Sequence, residues 1–219
     1  PPRSTLSSSS AASDVYKRQD QYNIEKSLGK YGFSSEQITD VICTHMHFDH
    51  IGGNTKIKFG EVVPTFPNAK YWISEENWNL ANHPSQKDAG SFIEHDWKVL
   101  AENQMIEIID GREPFIEGIE TIVTRGHTPG LLHPIVSDGS NKLFYGADIF
   151  PMVAHIPIPW VMAYDVQPVV TMEEKQKLLQ KMEREDWILF FEHDPHIQAC
   201  TVHKNGKHYK LNKEIKISD

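Results

Sequence analysis

Residues 45–50 read His-Met-His-Phe-Asp-His, four potential metal ligands within six positions. The apolar run Val41-Ile42-Cys43 before them predicts a short buried strand that leads into Thr44-His45. Gly52 and Gly53 follow and permit tight turning of the chain. His45 and His47 are two residues apart, so an extended backbone points both side chains the same way, while Asp49 and His50 are displaced toward a second point. A lone histidine is usually a satisfied core or surface residue; four such groups at the end of a rigid strand suit convergence on metal. Nitrogen and carboxylate donors without thiolate fit Zn²⁺, and also Mn²⁺, Fe or Co.

Further along stand Gly126-His127-Thr128-Pro129-Gly130, then Phe144-Tyr145-Gly146-Ala147-Asp148, then Phe190-Phe191-Glu192-His193-Asp194. With His45-x-His47-x-Asp49-His50 they resemble, in order, the signature motifs of the metallo-β-lactamase superfamily, over about Ile38 to His193. The resemblance implies an α/β fold, the metallo-β-lactamase αββα sandwich, with two divalent metal ions, zinc first among them. His45, His47 and His127 would bind the first ion, Asp49, His50 and His193 the second, and Asp148 would bridge them. Asp49 and Asp148 are then the carboxylates at the reacting centre.

The implied activity is hydrolysis, in which a hydroxide bridging the two ions attacks an ester or lactone carbonyl. Two divalent ions, two carboxylates and one hydroxide leave a formal charge of about plus one, which suits an oxyanion. Two alternatives stay open: phosphotriester hydrolysis at the same site, and iron-dependent redox chemistry on the same fold. Di-iron reductases that resemble this layout carry Glu where this chain has His47.

His47-Phe48-Asp49-His50, Tyr71-Trp72-Ile73 and the stretch Trp160 to Asp165 are similar to the lactonase-like and organophosphate-hydrolase-like branches. Two positions depart from that pattern. Leu131 stands where many members have a second His, and Pro151 where the acyl-homoserine lactonases have a Tyr near the bridging Asp; Tyr164 and His155 are the candidates to replace it. Ile149 to Tyr164 is rich in Pro and apolar groups. It either walls a pocket for a small-molecule substrate with an apolar arm, or packs against the core or a second subunit, as in a homodimer. His83, His95, His133, His196, His203 and His208 read as ordinary surface or core residues, and Cys43 as a small buried hydrophobe.

The remaining pattern alternates between helices and strands. Helices are expected over Ile24 to Lys30, from a Ser74 cap through Leu80, over Gln86 to Trp97, and over Thr171 to Glu185. Strands are expected at Ala69 to Ile73, Ile106 to Ile109, Ile119 to Thr124, Leu132 to Val136, Lys142 to Tyr145 and Trp187 to Phe191. Ala199 to Lys204 and Lys207 to Leu211 flank Asn205-Gly206, a type I′ hairpin signal.

Residues 1–19 include a low-complexity Ser/Ala run and are expected to be a non-native or disordered leader, with one domain over 20–219. Residues 20–44 read mostly as helix, so the first sheet is expected to lack the N-terminal β-strands of the family. The 219 residues carry a formal net charge of −8, which disfavours a nucleic-acid partner. No apolar run reaches the roughly 18 residues of a membrane span, so the expected location is cytoplasmic. Two cysteines give no disulfide framework.

Overall fold

The structure is a computed structural model that describes residues 23–111 and 115–217. The leader expected over residues 1–19 lies outside them. Strands β1 (Asp40–Ile42), β4 (Lys70–Ser74) and β5 (Ile106–Ile109) form one sheet, all parallel, in the order β1-β4-β5. The hairpin β2 (Thr55–Lys58) and β3 (Glu61–Pro64) stands beside it. The second sheet runs β11-β10-β9-β8-β7-β6, from β6 (Ile119–Thr124), β7 (Leu131–Ser137), β8 (Lys142–Tyr145), β9 (Ile188–Phe190), β10 (Ala199–Asn205) and β11 (His208–Ile215). Each sheet has its own buried apolar cluster, one around Tyr71, Ile73 and Leu100, the other around Phe144, Leu179 and Trp187.

The helices follow from local signals. Asn23 caps α1 (Ile24–Lys30) by accepting from Glu25 N and Lys26 N. The single turn α2 (Phe48–Ile51) carries Asp49 and His50. Ser74 Oγ caps α3 (Glu75–Asn82) by accepting from Asn77 N, and α4 (Lys98–Glu102) is short. The long helix α5 (Pro168–Glu185) starts with Pro at its first turn and ends on Asp186 in the left-handed region. Its buried stripe is Thr171, Lys175, Leu178, Leu179 and Met182, a helical spacing that lays one face on the second sheet.

The helix expected over Gln86 to Trp97 is corrected. That segment is two short turns, Ala89–Ser91 and Glu94–Asp96, with Ile93 extended between them. Phe92 and Trp97 both pack into the first apolar cluster, yet five residues apart they would lie about 140° around a helix. Breaking the helix lets both turn inward. The 205–206 turn is also corrected. Asn205 pairs with His208, so the loop is Gly206-Lys207, and only Gly206 has positive φ, the II′ rather than the I′ pattern. The I′ pattern occurs instead at Phe59-Gly60 between β2 and β3, where both φ values are positive.

Topology gathers the signature residues. β8 and β9 are parallel, and β6 points the same way because β7 is antiparallel to both of its neighbours. The segments that follow β6, β8 and β9 therefore leave from one end of the sheet, carrying His127, Asp148 and His193. The first sheet is tied to that end by a backbone bond from Leu132 N to Thr44 O at 2.8 Å, directly before His45.

Candidate metal centre

Segments that follow strand ends supply the signature side chains, Asp49 and His50 from the single turn α2, and the neighbouring elements fix them. His45 is fully buried, with Nδ1 3.1 Å from Thr44 Oγ1. Asn77 joins the two histidine loops: its Oδ1 accepts from Met46 N at 2.7 Å, and its Nδ2 donates to Pro129 O at 2.9 Å and Thr128 Oγ1 at 3.2 Å. The His127 loop is also gripped by α5, where the Glu174 carboxylate accepts from Arg125 N and Gly126 N at 2.8 and 2.9 Å. A Cβ on Gly126 would fall 2.4 Å from the Thr171 backbone, so only glycine allows this approach. Ala147 has a φ of 42°, a conformation rare for a residue with a side chain, immediately before Asp148. Asp194 orders the turn after His193 by accepting from Val153 N, His196 N and Ile197 N.

Two groups of donors result, and Asp148 belongs to both. His45, His47, His127 and Asp148 form the first, and His50, Asp148, Glu192 and His193 the second; within each group the donor atoms lie within 4.8 Å of one another. Asp148 Oδ2 is 3.1 Å from His127 Nε2 and 3.9 Å from His45 Nε2. Asp148 Oδ1 is 3.2 Å from His193 Nε2 and 3.5 Å from His50 Nε2. Asp49 sits at the exposed rim, its Oδ2 3.6 Å from His50 Nε2 and 3.8 Å from His193 Nε2. All seven residues singled out in the sequence are thus brought to one place.

The two groups differ electrostatically. Burial, reinforced by the neighbouring imidazoles, drives His45 well below the ordinary histidine value, and takes His47 down to about 4. Both are neutral rings with a lone pair to offer. Burial also opposes charge on His50, but Asp148, Glu192 and Asp49 outweigh it and raise its pKa. His193 is raised chiefly by its contact with Asp148. Asp148 is held far below the usual carboxylate range: its burial is overcome by His193, His50, His45 and His127. Glu192 is pushed up to about 7 by burial, with His50 pulling the other way.

Three residues without a role in the sequence reading belong to the site. Asp165 Oδ1 lies 2.9 Å from His127 Nδ1, both side chains buried. Glu192 Oε1 is 3.7 Å from His50 Nδ1, and Asn77 links the two loops. The signal for Asp165 and Glu192 was an acid at the end of an apolar stretch; Asn77 gave none. His155 joins neither group, and His133 is a satisfied core residue, held by Thr124 and the Tyr145 carbonyl.

A cavity of about 520 Å³ opens over the centre. His47, Asp49, His127, Asp148 and His193 give its polar lining; Phe48, Pro151, Met152, Met162 and Tyr164 its apolar one. The segment after Asp148 therefore divides: Phe150 and Ile156 enter the core, while Met152, Met162 and Tyr164 face the cavity.

A two-sheet α/β sandwich with histidine and carboxylate groups gathered at its strand ends defines a class of metal-site protein, and sequence comparison agrees. The chain belongs to the metallo-beta-lactamase superfamily, which it matches over residues 12–193. It is 24% identical over 170 residues to an N-acyl homoserine lactonase of Bacillus thuringiensis, covering 76% of this chain and 60% of that protein. It is 25% identical over 173 residues to the N-acyl homoserine lactonase AttM of Rhizobium radiobacter, covering 75% of this chain and 61% of the relative. The chain thus spans about 60% of the length of these relatives. Among solved structures, the dizinc quorum-quenching lactonase AidC superposes with a TM-score of 0.73 at 24% identity, over 89% of this chain and 70% of its own. The hydrolase AbOPH superposes at 0.77 and 21% identity, over 90% and 71%. These superpositions establish the fold. Among the described residues no helix is long and apolar enough to cross a membrane.

Proposed function

We propose that this chain, with its domain over residues 20–219, carries a metal-dependent hydrolase site for neutral esters or lactones with an apolar arm. The observation that carries the reading is a set of buried donors without partners: His45 Nε2, His47 Nε2, His50 Nε2 and Asp148 Oδ1 have no hydrogen-bond partner among the described residues. Leaving a buried polar atom unpaired costs about 1–3 kcal/mol, and three bare imidazole nitrogens gathered with a bare carboxylate oxygen fit divalent cations. His45, His47, His127 and Asp148 would hold one ion; His50, His193, Asp148 and the rim carboxylate Asp49 would hold the second. Zinc suits this donor set. When bound, such ions supply Lewis acidity, lowering the pKa of bound water to about 7 and polarising the scissile oxygen.

The chain's own residues do the rest. Asp165 engages His127 at Nδ1 and leaves Nε2 toward Asp148. Phe48, Met152, Met162 and Tyr164 offer an apolar wall that would seat an acyl arm and keep water off it. The sequence relatives carry the name N-acyl homoserine lactonase, which supports a lactone with such an arm.

The test is metal content by mass spectrometry on purified protein, with a panel of ester, lactone and phosphotriester substrates. Two ions per chain and lactone or ester turnover are expected, with the first ion and the turnover lost in His47→Ala. Folded protein without bound metal would refute the site. Turnover of the phosphotriester alone would move the substrate class to that alternative.

A further inference from the structure

The second donor group contains a residue that the signature motifs leave without a role, Glu192. It lies between the apolar Phe191 and His193, at the end of β9. Its side chain is 10% exposed, and its Oε1 has no hydrogen-bond partner among the described residues. Oε1 is 3.7 Å from His50 Nδ1, an ion-pair separation, and 4.0 Å from His193 Nε2. The opposite nitrogen, His50 Nε2, is also without a hydrogen-bond partner and faces Asp148 Oδ1 at 3.5 Å and Asp49 Oδ2 at 3.6 Å. The imidazole is thus bracketed, with Glu192 at one nitrogen and the inner carboxylates at the other.

The first group repeats this arrangement. Asp165 meets His127 at Nδ1, and His127 Nε2 faces Asp148 at 3.1 Å. An imidazole has one proton to place when neutral, and a carboxylate at Nδ1 draws it there, leaving the Nε2 lone pair for a cation. Asp165 and Glu192 thus approach the same ring nitrogen in the two groups, Asp165 at the hydrogen-bond distance of 2.9 Å from the segment before α5 and Glu192 at 3.7 Å from the end of β9. The Tyr145 side chain of β8 also meets the Glu192 carboxylate, while Glu192 Oε1 stands toward the His50 ring.

We propose that Glu192 is a positioning residue for the second metal ion: it holds His50 as the Nδ1-protonated tautomer, with Nε2 turned toward Asp148 and Asp49. This rests on the two-ion reading given above. Its effect falls on the second position, because His50 and His193 lie beside Glu192 while His45, His47 and His127 make no contact with it among those described; Asp148, common to both groups, is its one link to the first. Removal of such an outer partner typically weakens metal binding by roughly 10–100-fold.

The experiment is zinc titration of metal-free protein against a competing chelator, for wild type, Glu192→Ala and Glu192→Gln, with the apo melting temperature of each as a folding control. Expected are two ions in wild type, a second ion weakened about 10–100-fold in Glu192→Ala with the first unchanged, and most of that loss restored in Glu192→Gln, whose amide oxygen is able to accept from Nδ1–H. Equal binding of both ions by Glu192→Ala, or loss of both ions together, would overturn the proposal. So would a Gln variant as weak as the Ala variant, since that assigns Glu192 to the ion itself. Should the Ala variant fail to fold, the histidine ¹⁵N spectrum of zinc-loaded wild type decides, as an Nε2-protonated His50 contradicts the proposal. A wild type that binds no second ion refutes the two-ion reading, and this inference falls with it.

Discussion

His133 stacks on Phe144 with ring centroids 5.0 Å apart, meets Thr124 Oγ1 at 2.8 Å through Nε2, and meets the Tyr145 carbonyl at 3.1 Å through Nδ1. Both ring nitrogens are used, which is what separates it from His45, His47 and His50, each left with a bare Nε2. Burial lowers its pKa to about 4, the Tyr145 carbonyl opposing. Above pH 6.5 the ring is neutral in both states. As the pH falls from 6.5 to 4, the unfolded chain takes up the proton first, so the native state loses stability in that window. At about 1.4 kcal/mol per pH unit, the full effect is about 3 kcal/mol. Urea unfolding of metal-free protein at pH 7 and pH 4 is expected to show His133→Phe losing about 3 kcal/mol less than wild type on acidification; parallel losses would refute the neutral buried ring. At this scale the sequence was legible where residues carry a spaced pattern. His45, His47, Asp49, His50, His127, Asp148 and His193 all reach one centre. Asp165 and Glu192 showed only an acid at the end of an apolar stretch and no role, because the partner of each, His127 or His50, lies 38 or 142 positions away.

Asn77 is where three elements meet: it sits in α3, bonds the turn after β1 at Met46 and bonds the β6–β7 connection at Thr128 and Pro129. Ser74 Oγ adds a bond from the start of that helix to Gly130 O. Removing the amide leaves Met46 N and the Pro129 carbonyl unpaired in a buried place, at about 1–3 kcal/mol each. Asn77→Ala is therefore expected to lower unfolding stability by about 3 kcal/mol in urea and to weaken zinc at the His45-His47-His127 group. An Ala variant within about 0.5 kcal/mol of wild type would refute the clamp. The strands of the three- and six-stranded sheets and α5 could be read in advance because apolar periodicity fixes them. The Gln86 to Trp97 segment could not, since burying Phe92 and Trp97 overrides its helical composition. The β2–β3 hairpin was unread because Phe59, with φ of 54°, occupies a position that turn rules give to Gly, Asn or Asp.

Across the whole molecule, two sheets with separate apolar clusters meet at the centre, joined there by polar contacts: Leu132 N to Thr44 O, the Asn77 bonds, and the histidines of the first loop against Asp148 from the second sheet. His45, His47 and His50 hang from the end of β1, while His127, Asp148 and His193 hang from β6, β8 and β9. An ion bound by both sets is a crosslink between the two halves of the sandwich. It binds the native arrangement and not the unfolded chain, so it stabilises by mass action, about 2.7 kcal/mol when free metal is 100 times the dissociation constant. For a domain near 200 residues each kcal/mol moves the midpoint by about 2–4 °C. Chelation is therefore expected to lower the thermal midpoint by about 5–10 °C, and readdition of zinc to restore it. His47→Ala and Asp148→Asn should each lose most of that zinc-dependent gain, because one removes a donor from the first loop and the other the carboxylate common to both groups. An unchanged midpoint on chelation of zinc-loaded protein would mean that the two sheets are held together without the ions, and that the bare donors facing Asp148 serve some other purpose.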